Sequence, residues 1–224
     1  MFCIPCKYNK TSNNIIELVK QIRHFHKNEK IVVVDSCSED KSYFEELEVY
    51  DAIVLDVNNT NWMVGAYPNE EHYYFIHDST KIKASLDYLK TDELTLIATF
   101  DKSVGNFNGL NEEIRQKTKY KNIKDFGFGC YGPMFFCKGK LMNKLYDNDF
   151  HLILPNNKQE TGWMEGAFGA VFEEEGFDLM KCSLYGNILE HESLGGKSYP
   201  HPFNTSWQFP IEKFYASHLD ISRL

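Results

Sequence analysis

Long apolar runs are missing from this chain. No stretch reaches the roughly 18 consecutive apolar residues that a membrane-spanning helix requires, so no transmembrane segment is read. The opening "MFCIPCKYNK" lacks the basic region and apolar core of a secretory signal, and cytoplasm is the expected address. Basic clusters are equally scarce. Against 32 Asp and Glu stand 24 Lys and Arg, a formal charge of −8 that argues against a nucleic-acid binder working by phosphate neutralisation. A nucleotide held in a metal-assisted pocket remains compatible with that charge. No Gly-x-Gly-x-x-Gly follows the first apolar stretch, which weighs against a dinucleotide oxidoreductase. The glycine-rich loop and following basic residue of a nucleotidyltransferase are also missing from "CIPCKYNK". There is no internal repeat and no low-complexity linker.

What is present suits one sizeable domain. The 224 residues are 42% hydrophobic and 15% aromatic, enough to bury a core. The six cysteines, Cys3, Cys6, Cys37, Cys130, Cys137 and Cys182, are scattered through a chain that needs no staples, so they read as buried or incidental thiols. Cys3-x-x-Cys6 lies at the start of the chain with Pro5 inside it rather than at a helix N-terminus after a strand, which weighs against a redox motif. The Cys130 to Cys137 spacing is looser than a zinc knuckle.

Periodicity supplies the elements. "MFCIP" reads as a strand, followed by a polar loop in which Ser12 or Asn13 is available as a helix cap. "IIELVKQIRHF" places Ile15, Ile16, Leu18, Val19, Ile22 and Phe25 mostly on one helical face, and "KIVVVD" is a continuous apolar strand of the kind buried on both sides of a parallel sheet. A short helix at "SYFEELEVY", strands at "DAIVLDV", "HYYFIHDST" and "ELTLIATF", and a helix at "GLNEEIRQKTKY" follow. "FGFGCYGPMFFCKGKLMNKLYD" reads as a glycine-rich turn, a short strand and a helix, and "TGWMEGAFGAVFEEEGF" as a helix stopped by Gly176. The closing Gly-, Pro- and aromatic-rich region is expected to wrap over existing elements. The class is α/β with a mostly parallel, twisted, Rossmann-like sheet flanked by helices, and such sheets bind ligands beyond the carboxyl ends of their strands.

Asp35 and Asp78 end two different predicted strands. If those strands run the same way, both carboxylates reach one edge of the sheet, where a nucleotide can lie between them. A departing diphosphate needs charge neutralisation, and Mg2+ or Mn2+ on oxygen ligands supplies it. Asp78 is the candidate ligand, with His77 beside it as a second candidate or a hydrogen-bonding histidine. Asp35 is a candidate acceptor for a nucleobase or ribose, and Lys7 a candidate phosphate contact from the opening loop. Glu165 sits early in a helix otherwise dense in Trp, Met, Ala and Phe. There the helix field would favour its charged form and partial burial would raise its pKa toward general-base values. Glu173, Glu174 and Glu175 read as a solvated face.

The segments "IPCKYNK", "VVVDSCSEDKS", "YFIHDST", "GCYGPMFFCKGKL" and "TGWMEGAFGAVFEEEGF", in that order over roughly residues 1 to 180, resemble the nucleotide-sugar glycosyltransferases of the GT-A fold, in particular the inverting, family 2-like group. The chain is also similar to the amino-terminal glycosyltransferase domain of capsid-glycosylating proteins from large viruses of green algae. The resemblance implies a single GT-A-like domain over 1–224, with a nucleotide-binding half at 1–100 and an acceptor-binding half with a C-terminal wrap at 101–224. It implies that Pro5, Lys7, Tyr8 and Asp35 line the nucleotide site, that Asp78 binds the metal, and that Glu165 deprotonates the acceptor hydroxyl. A late histidine or lysine near the diphosphate would be His201 or Lys197. The family's usual D-x-D has become "HDS" here, leaving Asp78 as the one clear carboxylate.

The implied reaction is a single inverting displacement, from a nucleotide-diphosphate sugar, UDP-sugar favoured, to a hydroxyl of a glycan or glycoprotein. Trp62, Tyr67, Trp163 and Trp207 are candidate stacking platforms for a sugar, with core or lid packing as the alternative. A nucleotidyltransferase acting on sugar phosphates and a noncatalytic carbohydrate-binding module remain the rival readings. Oligomeric state is not legible.

Overall fold

The computed structural model describes residues 1–8, 14–57, 69–104, 107–153, 158–187 and 211–213. Trp62, Tyr67, Lys197, His201 and Trp207, and the cap candidates Ser12 and Asn13, lie outside the described residues.

The elements run β1 (Phe2–Cys6), α1 (Ile15–Phe25), β2 (Ile31–Ser36), α2 (Tyr43–Glu48), β3 (Ala52–Val57), β4 (His72–Phe75), β5 (Thr80–Ile82), β6 (Leu94–Leu96), β7 (Thr99–Asp101), α3 (Leu110–Lys117), β8 (Phe128–Cys130), β9 (Phe135–Lys138), α4 (Gly139–Asp147), α5 (Lys158–Glu174) and β10 (Ile211–Lys213). The main sheet has six strands in the order β3-β2-β1-β4-β9-β6. β1, β2 and β3 are parallel neighbours, and β6 pairs antiparallel with β9. The protein is thus an α/β fold with a mostly parallel, Rossmann-like sheet flanked by helices. Two short antiparallel pairs, β10 with β5 and β7 with β8, complete the strands among the described residues. No helix among those residues is long and apolar enough to cross a membrane, and none of the six cysteines forms a disulfide.

The chain forms two compact units that interleave in sequence. The first is Met1–Tyr67 with Phe75–Tyr88 and Phe203–Leu224, and the second is Pro68–Tyr74 with Leu89–Pro202. In the first unit, β2 is buried from Ile31 to Asp35, as its unbroken apolar run requires. Helix α1 buries Ile15, Leu18, Val19 and Ile22, the positions that a 3.6-residue period aligns. Its cap position falls on Asn14, whose side chain makes no cap bond and instead donates to the Thr80 carbonyl at 3.1 Å. At the other end of the helix, Arg23 donates to the carbonyls of Tyr50 (2.6 Å), Glu29 (2.5 Å) and Asp51 (3.0 Å), tying the entrances of β2 and β3 together. From the closing region, the described residues Ile211–Lys213 form β10 against β5.

In the second unit, Phe135, Phe150, Phe168 and Phe172 form an aromatic core, with the Phe135–Phe168 and Phe150–Phe168 ring centroids 5.0 Å apart. The expected single strand at "ELTLIATF" is two strands in different sheets. At Ile97 and Ala98 the backbone turns to other partners: the Ile97 amide donates to the Met134 carbonyl and the Ala98 carbonyl accepts from Tyr131. Because every residue from Leu94 to Phe100 is buried, apolarity alone could not reveal that break.

Candidate functional site

In the first unit the chain lays β2 and β3 on one side of β1, and the segment that opens at Phe75 returns along the other. Reversals of this kind open a crevice beyond the carboxyl ends of the strands on either side of the switch, because the two connections leave in opposite directions. β1 and β2 are in register from Phe2 opposite Ile31 to Cys6 opposite Asp35, so Lys7 leaves β1 at the level of Ser36, the last residue of β2. Along β1's other side, the Ile76 amide donates to the Cys3 carbonyl at 3.2 Å and the Lys7 amide to Asp78 Oδ2 at 3.4 Å. Residue numbers rise together along both segments, so the loops after β1 and β4 meet at one end.

A second set of bonds joins the loop after β1 to the loop after β2. The Tyr8 amide donates to Ser38 Oγ at 2.7 Å, and the Ser38 amide donates to Asp35 Oδ1 at 3.0 Å. The Tyr43 hydroxyl, from α2, donates to Asp35 Oδ2 at 2.5 Å, and its ring stacks on Tyr8 with centroids 4.3 Å apart and planes 19° apart. Burial pushes the Tyr43 hydroxyl far above the usual tyrosine range, and Cys6 and Asp35 push it the same way, so it stays protonated and donates. Asp35 itself is 0% exposed. It is therefore neither the ligand-facing acceptor expected from the sequence nor a solvated turn residue. Both its oxygens face inward, where they fix the Ser38 loop and α2.

The other expected residues of this edge separate by position. Pro5 lies inside β1, opposite Val34, rather than in the loop beyond it. Lys7 is exposed at the rim, and Tyr8, His77 and Asp78 are half-buried. Among the described residues, no group of three or more His, Cys, Asp or Glu is arranged to hold a metal ion. Asp78 and His77 thus do not form a protein cage. One carboxylate at the rim does fit a hard cation that takes most of its oxygen ligands from a substrate's phosphates and water, the usual manner of Mg2+. Ser38 and Tyr43 were not among the sequence candidates. The first has a readable signal, since an aspartate accepting a backbone N–H a few residues on is a common turn device; nothing local marks the second.

Glu165 belongs to the second unit. Its Oε1 accepts the Gly132 amide at 2.8 Å, and Gly132 has φ +59°, a left-handed conformation natural to glycine. Cys130 is fully buried nearby, and burial first, then the Glu165 charge, raise its thiol well above the ordinary value. The expected place of Glu165 beside a helix N-terminus is corrected. Helix α5 begins at Lys158, so Glu165 is its eighth residue and lies past the first turn, where the helix field fades. The expected solvated face at 173–175 is corrected as well. Glu173 accepts the amides of Gly127 (2.8 Å) and Phe128 (3.2 Å), while Glu175, with a side chain 6% exposed, accepts the Tyr120 hydroxyl (2.9 Å) and pairs with Lys144. Glu174 alone of the three is exposed. Trp163 is half-buried, with its indole nitrogen inside.

Helix α5 reaches β8 closely because Gly169 lacks a side chain: a Cβ there would stand 2.2 Å from the Phe128 carbonyl oxygen. Gly169→Ala is expected to destabilise the protein by about 1–3 kcal/mol through overpacking against backbone that cannot yield, read as a lowered urea midpoint.

No family model matches the chain, and no curated protein matches it. Among solved structures, S. aureus TarS residues 1–349 is similar at 17% identity and a TM-score of 0.41, over 75% of this chain and 54% of that one. The chain therefore spans about half the length of that structure.

Proposed function

We propose that the chain is an inverting, GT-A-like glycosyltransferase, moving a sugar from a nucleotide-diphosphate donor, with UDP-sugar favoured, to a hydroxyl of a glycan or glycoprotein. The observation that carries this reading is the meeting of the loops after β1 and β4, where the Lys7 amide touches the Asp78 carboxylate. An open α/β sheet takes its ligand at that place. A donor diphosphate needs positive charge there, which the exposed Lys7 and a cation on Asp78 provide. When bound, Mg2+ or Mn2+ supplies Lewis-acid stabilisation of the departing diphosphate, with Asp78 holding it and His77 adjacent. Tyr8, braced by Ser38 and Tyr43, forms the wall beside the nucleotide, and Asp35 keeps that wall in place from behind.

On the acceptor side Glu165 takes the hydroxyl proton. The acceptor oxygen then forms its bond to the anomeric carbon as the bond to the diphosphate breaks, and configuration inverts. The Gly132 amide orients Glu165 through Oε1. The remaining candidates for the diphosphate, Lys197 and His201, belong to the same proposal.

Calorimetric titration of UDP with and without Mn2+ tests the donor half. Mn2+ is expected to tighten UDP binding to the wild type, and Asp78→Ala to remove that gain, a loss of roughly tenfold or more, equal to about 1.4 kcal/mol. Identical metal dependence in the variant would remove Asp78 from the site. Binding of glycans but of no nucleotide would favour a carbohydrate-binding module.

A further inference from the structure

We infer that Glu173 is a positioning residue for Glu165, acting through the 127–132 segment; the inference rests on the reading of Glu165 as the base. Three residues of α5, each four apart, meet that segment in reverse order. Glu173 accepts the amides of Gly127 and Phe128, Gly169 lies against the backbone of Phe128 and Gly129, and Glu165 accepts the amide of Gly132. Residues at i, i+4 and i+8 share one side of a helix, so this stripe is a rail along which β8 runs antiparallel to α5.

The lengths agree. Eight helical residues from Glu165 to Glu173 rise about 12 Å, and β8 with the bend and turn that follow it at Tyr131 and Gly132 can reach at most about 13 Å from Phe128. The two carboxylates therefore pin both ends of a segment with little slack between them.

The middle of the segment is equally confined. Phe100 of β7 pairs with Gly129 and lays its ring over it, where a Cβ on Gly129 would stand 2.1 Å from Phe100 Cζ. On the opposite side, a Cβ on Gly169 would stand 2.9 Å from Gly129 Cα. β8 passes between a ring and a helix only because both positions are glycine. A strand gripped in this way cannot absorb a shift at Gly127 locally, so the shift reaches Tyr131 and Gly132. Tyr131 N, bonded to the Ala98 carbonyl at 3.0 Å, and the left-handed Gly132 aim the Gly132 amide at Glu165 Oε1.

The test compares Glu173→Ala and Glu173→Gln with wild type in the full chain, following amide hydrogen exchange and the NMR titration of the Glu165 side-chain carboxyl, assigned with Glu165→Gln. Glu173→Ala is expected to speed exchange by roughly tenfold or more at Gly127, Phe128 and Gly132 together. It is also expected to raise the Glu165 titration midpoint, because the carboxylate loses a hydrogen bond made to its charged form. Glu173→Gln keeps one acceptor oxygen and restores part of both effects. Should the alanine variant fail to fold, the glutamine variant carries the same comparison. Faster exchange at Gly127 and Phe128 with Gly132 and the Glu165 midpoint unmoved would overturn the inference and leave Glu173 a local clamp. Neither readout depends on turnover. A wild type without donor turnover in which Gly132 and Glu165 still respond to Glu173 would overturn the transferase reading alone and uphold the coupling.

Discussion

Glu165→Gln is expected to lower kcat for glycosyl transfer by about 10²- to 10⁴-fold, the usual contribution of a positioned general base, with KM for the donor little changed. The substitution is close to isosteric. A glutamine amide oxygen still accepts the Gly132 amide, so the contact that orients the side chain survives while the ability to take a proton is lost. An unchanged melting temperature with collapsed kcat identifies a chemical role. Unchanged kcat would mean that Glu165 only secures the Gly132 turn, as Glu173 secures Gly127.

The second large effect falls on stability. Asp35→Ala leaves the Ser38 amide and the Tyr43 hydroxyl without their acceptor in a fully buried place, and is expected to cost about 2–4 kcal/mol in urea unfolding. Asp35→Asn is expected to cost only about 1 kcal/mol, because its oxygen can keep Ser38 while the Tyr43 hydroxyl reverses its role and accepts from the amide. A ligand-facing aspartate behaves differently. Its alanine variant would unfold at the wild-type midpoint and lose nucleotide affinity alone, and that result would contradict the buried role described here.

These two residues show how far the sequence could be read. Its apolar periods located the opening β-α-β unit, and the ends of those strands located the edge at which Lys7, Tyr8, Asp35 and Asp78 gather. Direction was harder. Asp35 follows four buried apolar residues in a strand, and a period of two cannot say whether the fifth side chain faces a ligand or the Tyr43 hydroxyl arriving from α2. The acidic run at 173–175 has the composition of a solvated face, yet two of its members cap groups 46 and 55 positions away, at Gly127 and Tyr120. Bonds of such span are tertiary and leave no local pattern. Helix α5 begins before the aromatic-rich stretch because Lys158, Gln159 and Glu160 are themselves good helix formers, which moves Glu165 inward from the helix end. The interleaving of the two units is hidden for a related reason. It depends on residues 75–88 packing with the amino-terminal segment, and chain order does not record that packing.

The most direct test of the central claim is an amide-resolved NMR titration of the wild-type protein with UDP and Mg2+. Saturable shifts centred on Lys7, Tyr8, Ser38, His77 and Asp78 are expected, weakened when Mg2+ is withheld. Shifts clustered elsewhere, or none with UDP, GDP, CDP or dTDP, would contradict a nucleotide site at the ends of β1 and β4.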